Sequence, residues 1–314
     1  MSFPGNLSRF EPASGLLVRS IKINGHYLFV DSCEINPEQE IDLEFLIQGG
    51  PGAAIANIGV KKISGRITCP IRVNRSGVVN NAVKALLQHA ESPMSAIRID
   101  TNHVLSQVGL TADNGGTDNN QLLSLDTVVV SDLTITATPD GGVQLTAQIL
   151  GMVDARDPSD YVAPSPGQLL GRELSWGDCN VKRLESQMRS ATSLEINIKN
   201  ELKPLNFIPP ITTEINDLSD QIDMIGIQSC KWGGKFEEIL RLGVDMESHI
   251  HGGWMQNENL NIDFGPISAT LSCPLFKIAE VPLSSKQIRR TTSFFGQIQP
   301  TLPLATGGLF TFSE

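Results

Sequence analysis

The feature that most constrains this chain is a strand that it writes twice. Residues 65–73 read GRITCPIRV and residues 234–242 read GKFEEILRL, in one register and without a gap. Gly65 and Gly234, Arg66 and Lys235, Ile67 and Phe236, Ile71 and Leu240, Arg72 and Arg241, and Val73 and Leu242 match in kind. A second echo lies upstream of each copy. Glu34-Ile35-Asn36 precedes Ile41-Asp42 and Ile47-Gln48, and Glu214-Ile215-Asn216 precedes Ile222-Asp223 and Ile227-Gln228. Two matches in the same order predict an internal duplication, which fixes an architecture more tightly than any single element.

The repeated segment has the period of a strand. Ile63, Gly65, Ile67, Cys69, Ile71 and Val73 share one face, and Lys62, Ser64, Arg66, Thr68 and Arg72 share the other. Such alternation predicts a sheet with one buried face. Pro70 has no backbone donor, so it belongs at an edge or a bulge. The same period recurs around turn signals. Leu17, Ile21 and Ile23 run into Asn24-Gly25, the pair that a type I′ hairpin turn requires, and 26–31 returns. Ile41, Leu43, Phe45 and Ile47 end at Gly49-Gly50-Pro51-Gly52, and Ile97 and Ile99 open a further strand. Leu133, Ile135 and Ala137 turn at Pro139-Asp140-Gly141-Gly142 and return as Val143, Leu145, Ala147 and Ile149. In the second half, Leu194, Ile196 and Ile198 restart the pattern. A closing hairpin follows, with Leu260, Ile262 and Phe264 on one arm and Ile267, Ala269, Leu271 and Cys273 on the other.

One segment has helical spacing: Val79, Ala82, Val83, Leu86, Leu87 and Ala90, with Pro93 as its stop. A short helix is also expected at 181–189. The predicted fold is mainly β, with two tandem antiparallel β-sandwich or barrel-like domains. The first spans 1–155 and carries the flanking helix at 78–91; the second spans 181–283. A Pro-rich polar linker at 156–180 joins them, and 284–314, with Lys286, Arg289 and Arg290, forms a C-terminal arm.

A length of 314 residues suits about two domains. A net charge of −10 argues against a scaffold that grips nucleic-acid phosphates, and 5% aromatic residues argue against a base-stacking platform. No basic start followed by an apolar run opens the chain, and no apolar run of about 18 residues occurs, so neither a secretory signal nor a membrane span is expected. Cys33, Cys69, Cys179, Cys230 and Cys273 are odd in number and widely spaced, which predicts reduced, packed thiols in a cytoplasmically folded chain.

Chemistry has few places to sit. Asp245, Glu247, His249 and His251 alternate along one strand face and are the residue types that hold metals. Same-face neighbours stand in a row rather than converging on a point, so a solvated face is expected and no metal. Residues 49–52 are followed by AAIANIGVKK and lack the Lys-Ser/Thr of a phosphate loop. His26, His89 and His103 have no carboxylate neighbours that suggest a triad. Asp31 and Glu34, flanking Cys33, raise its pKa. No catalytic, cofactor-binding or metal-binding residue is expected, and no enzymatic activity.

An opening hairpin, an acidic strand, the loop Gly49-Gly50-Pro51-Gly52, the G-x-I-x-x-x-[IL]-R strand at 65–73, the helix at 79–90 and a closing hairpin with a DGG turn at 133–151 follow one another here. In that order they resemble the tail tube proteins of tailed bacteriophages, over most of residues 15–151. The resemblance implies a β-sandwich whose sheets join neighbouring subunits into a barrel. Six such domains make a ring, so two per chain imply three chains, and rings stack through a long loop, here 48–57 or 112–121. It implies a virion protein assembled in a host cytoplasm, with itself and the tail sheath, tape measure and baseplate proteins as partners, and no membrane. DNA would pass through an acidic lumen without specific binding. Two other classes stay open. One is another ring or tube component: a baseplate hub, distal-tail ring, capsid decoration protein or type VI tube homologue. The other is a metal-dependent enzyme using the 245–251 face.

Overall fold

Period-2 alternation turns into strands almost throughout the computed structural model, which describes residues 15–45, 54–92, 97–106, 120–152, 155–156, 171–183, 186–187, 191–205, 224–239, 254–255, 260–271, 275–278, 289–298 and 308–313. The fold is mainly β, with several antiparallel sheets and one α-helix among these residues. The first half contains β1 (Gly15–Ile23), β2 (His26–Leu28), β3 (Ser32–Phe45), β4 (Ala54–Pro70), β5 (Arg72–Val73), α1 (Asn81–Glu91), β6 (Ile97–Ser106), β7 (Asn120–Thr138), β8 (Gly142–Met152) and β9 (Ala155–Arg156). The second contains β10 (Arg172–Glu173), β11 (Cys179–Arg183), β12 (Ser186–Gln187), β13 (Ala191–Leu205), β14 (Met224–Ile239), β15 (Trp254–Met255), β16 (Leu260–Phe264), β17 (Ile267–Leu271), β18 (Leu275–Ile278), β19 (Arg289–Ile298) and β20 (Phe310–Phe312).

Local chemistry explains the tight elements. β1 and β2 meet across Asn24 and Gly25 at φ 49° and 80°, the two left-handed positions of the expected turn. The α1 helix starts where Asn80 Oδ1 accepts the Ala82 N–H at 2.8 Å, and it buries Ala82, Val83, Leu86, Leu87 and Ala90. Pro70 ends β4, and the strand resumes as β5 only after Ile71.

Thirteen strands form one antiparallel sheet; nine follow the order β15-β18-β19-β14-β13-β7-β6-β1-β2, and β3, β4, β8 and β9 lie off that path. The 19-residue β7 is its branch point. One edge of β7 takes β6 along its first half and β13 along its second; the opposite edge takes β8, then β4, then β3. A second sheet has the order β12-β11-β16-β17-β20. Leu260, Ile262, Phe264, Ile267, Ala269 and Leu271 of that sheet join the same core as α1 and the large sheet.

Two four-stranded units recur within the large sheet, β3-β4-β8-β7 and β13-β14-β19-β18. Gly65 on β4 faces Ile35 and Ile149; Gly234 on β14 faces Ile196 and Phe294. Both glycines are required by close approach. A Cβ at Gly65 would lie 2.8 Å from the Glu34 carbonyl oxygen and 2.9 Å from Ile149 Cγ1. At Gly234 it would run into the Glu195 carbonyl oxygen and the Phe294 ring. Each glycine therefore makes room for the large residue opposite it, across the strand pair.

These registers correct several expectations. The triplet facing Gly234 is Glu195-Ile196-Asn197, the partner of Glu34-Ile35-Asn36; Glu214-Ile215-Asn216 lies outside the described residues. The strands that close the second unit are β18 and β19. The hairpin β16–β17 belongs to the other sheet. Within the expected arm, 289–298 is an inner strand between β14 and β18, and β20 pairs with β17. In the expected helix at 181–189, the described residues 181–183 and 186–187 are strand, because Cys179 to Arg183 pair with Phe264 to Leu260 and bury Val181. In the expected linker, 171–178 is tied down. Arg172 and Glu173 pair with Val73 and Arg72, and buried Leu174 donates its N–H to Ile71 O at 2.9 Å.

Gly65→Ala and Gly234→Ala should each destabilise by about 1–3 kcal/mol, the usual cost of overpacking, with Gly234→Ala the worse. Urea unfolding of the purified variants checks this; midpoints equal to wild type for both would contradict the repeat geometry.

Candidate functional site

No group of three or more His, Cys, Asp or Glu residues among the described residues is placed to hold a metal. Asp245, Glu247, His249 and His251 lie outside the described residues. His26 is exposed, and His89 is half-buried with its Nε2 3.3 Å from Asn24 Nδ2; the side chain of His103 lies outside the described set. An open cleft of about 370 Å³ is lined by His26, Tyr27, Asn74 and Asn80 among others. Two of its amides bond the backbone. Asn80 Nδ2 donates to Tyr27 O, and Asn74 Oδ1 accepts the N–H groups of Ser76 and Val78.

The four described thiols are held in the neutral form at ordinary pH. Cys33, Cys69, Cys179 and Cys230 are free. Burial first, and then the neighbouring Glu34, pushes Cys33 up to about 11; burial and then Asp31 pushes Cys69 up to about 12. Burial is also the main cause at Cys179, about 12, and at Cys230, about 11. Of the two flanking acids anticipated at Cys33, Glu34 is thus the lesser influence and Asp31 acts on Cys69 instead.

What the structure does present is a broad polar face and an open edge. Along the two units, Ile67, Leu145, Leu133, Ile196, Phe236 and Phe294 point into the core, and their neighbours in sequence point out. Outward charges face one another across strands. Glu34 lies opposite Arg66, Asp132 opposite Lys199, and Glu195 opposite Lys235, whose Nζ is 3.1 Å from Glu195 Oε2. Glu201 takes Lys231 at 2.7 Å and the Ser229 hydroxyl at 2.6 Å, contacts that hold its carboxyl below the usual range. This face contains the Glu/Lys and Glu/Arg rows of the repeat.

The edge is defined by comparing the units. β13, first strand of the second unit, is paired on both sides, by β7 and β14. β3, first strand of the first unit, is paired by β4 alone among the described residues. Pro37 sits in β3 where β13 has Ile198, as an edge strand tolerates and an inner strand does not. At the far end, β18 holds the place that β7 holds, with Ile278 the equivalent of Leu133; each lies across from the residue two past the repeat glycine through Thr292 or Ala147. Only Phe276 and Lys277 of β18 are paired by β15.

The rows also record a stagger. Starting at Cys33, the row runs through Ile67, Ala147 and Leu133 to Ile198. The second-unit equivalent of Cys33 is Leu194, four residues before Ile198. The first four-stranded unit therefore shifts the register by four residues.

No protein-family model matches this sequence, and a search of curated proteins finds no match.

A thiol probe at pH 8 should leave Cys33, Cys69, Cys179 and Cys230 essentially unmodified, since a thiol with a pKa near 11 is about 0.1% thiolate there. Peptide mapping of native and denatured samples reads this directly. Rapid native labelling at Cys69 or Cys230 would contradict the packing.

Proposed function

We propose that this chain is a structural protein that closes into rings by repeating its own internal junction, and that the rings stack into the tail tube of a tailed bacteriophage, a conduit for DNA. The observation that carries the reading is the contact β7·β13. It joins two like units edge to edge inside one chain, and the same kind of edge stands open at β3. A strand of the β7 type from a second chain, its β18, fits there. An open strand edge is a hazard for a monomer and a contact for an assembly. The contact is heterologous, so it builds a ring where the rotation closes.

The stagger favours closure. Four residues of shift across four strands makes shear number and strand number equal, and barrels of that kind tilt their strands by about 36°. Three chains supply six units and roughly 24 strands, which at a spacing of about 4.8 Å and that tilt enclose a bore of about 45 Å between backbones. That bore is wide enough for a DNA duplex. With the core, α1 and the second sheet on the apolar side, the polar face is the one left for the lumen. Its charges neutralise one another in rows rather than forming the acidic wall that the net charge suggests. A surface of matched charges offers phosphates no basic stripe to bind.

On this reading the chain is not an enzyme. Its partners are further copies of itself, with the tail sheath, tape measure and baseplate proteins as neighbours in the virion, and assembly takes place in the host cytoplasm.

Electron microscopy of the concentrated protein should show hollow tubes or rings, with three chains to a ring. Single rings that never stack would move the reading to a hub, distal-tail or decoration protein. A monomer at every concentration would overturn it.

A further inference from the structure

Glu91, the last residue of α1, belongs neither to the polar face nor to the open edge, and it is 7% exposed. Its Oε1 accepts the Phe310 N–H at 2.6 Å, and the Leu309 N–H also bonds the carboxylate. A Cβ on Gly308 would run into Oε2, so three consecutive residues, 308–310, wrap one carboxyl group. The same segment joins the second sheet through β20, which pairs with β17, and the Thr270 N–H bonds Leu309 O at 3.1 Å. Glu91 is thus the joint between the C-terminal segment and the helix.

Nothing cationic in the described surroundings offsets a charge at that joint. From β14, Cys230 lies within its electrostatic reach as a neutral thiol. From β13, Asn200, opposite Cys230, donates through Nδ2 to Ala90 O and Val130 O, both at 2.9 Å, while its Oδ1 is buried without a hydrogen-bond partner. On α1 itself, Lys84 sits over the Phe312 ring, 5.5 Å from its centre, and His89 is engaged with Asn24. β20 carries no titratable side chain. A carboxylate at a helix C-terminus also opposes the helix dipole. Burial outweighs the two backbone hydrogen bonds and pushes the Glu91 carboxyl up to about 7.

We propose that the docking of residues 308–313 onto α1 is coupled to a proton on Glu91, so that the segment is held more tightly in weakly acidic than in weakly alkaline solution. The docked carboxyl binds its proton more strongly than one that reaches water. The stabilisation is complete below the ordinary carboxyl range, is lost as pH rises to about 7, and changes no further above that. The neutral acid keeps one oxygen to accept the Phe310 N–H.

Hydrogen exchange of the full chain between pH 5 and 8, with exchange times scaled for the intrinsic rate, tests this by peptide mass, with 143–150, in β8 between β4 and β7, as the internal reference. Protection of 308–313 relative to the reference should fall by up to about tenfold per pH unit between pH 5 and 7. In Glu91→Gln, a neutral isostere, it should stay flat. A flat or reversed wild-type profile, or an unchanged slope in Glu91→Gln, would overturn the proposal. If that variant does not fold, the wild-type profile against its internal reference decides alone.

Discussion

A strand inside a sheet satisfies its backbone on both sides, and a strand at an edge leaves one side to solvent or to another chain. That constraint organises this protein. β13 and β3 are the same element twice, each opening a four-stranded unit and each pressing a Glu-Ile-Asn triplet against a glycine with no room for a side chain. β13 is paired on both sides and, among the described residues, β3 on one. The difference is one of position along the ribbon, and in the proposed ring a further copy of the unit removes it.

The two faces of the ribbon divide the remaining tasks. The apolar face closes against α1 and the second sheet in a single core, where Phe236, Phe264 and Phe294 are fully buried and each contributes about 1.5–3 kcal/mol. The opposite face remains polar, its charges matched across strands by registers the glycines help to set. Matched charges on an exposed surface add little stability. Their consequence is chemical neutrality over a wide area, which suits a surface past which a polyanion moves.

Sequence made the local elements legible because their causes are local. Asn24-Gly25, the helical spacing from Val79 to Ala90 and the turn before Gly142 each specify geometry within a few residues. The duplication was legible in Gly65 and Gly234, but its limits were not. Glu-Ile-Asn occurs both at 195–197 and at 214–216, and only pairing across the sheet shows which one meets Gly234. The hairpin β16–β17 has the alternation of a closing hairpin, and nothing within it says that it joins another sheet. Residues 289–298 looked like an arm because Arg289 and Arg290 lead a polar start, although Phe294 drives that strand into the core. At Cys33 the visible neighbours were charges, whereas burial, a property of the fold, is the larger cause. The candidate edge was foreseen only as a general consequence of the resemblance; its identity as β3 comes from the registers.

The most direct test of the account is a disulfide across the junction it requires. The proposed ring repeats the register of Leu133 with Ile198, and so sets Ile278 of one chain opposite Pro37 of the next. A Pro37→Cys/Ile278→Cys chain, oxidised and run under non-reducing conditions, should give linked dimers and trimers and no longer ladder. As a control, Thr134→Cys/Asn197→Cys should close within a single chain, since those residues face each other across β7 and β13. Closure of the control with no link between chains would contradict the head-to-tail repeat.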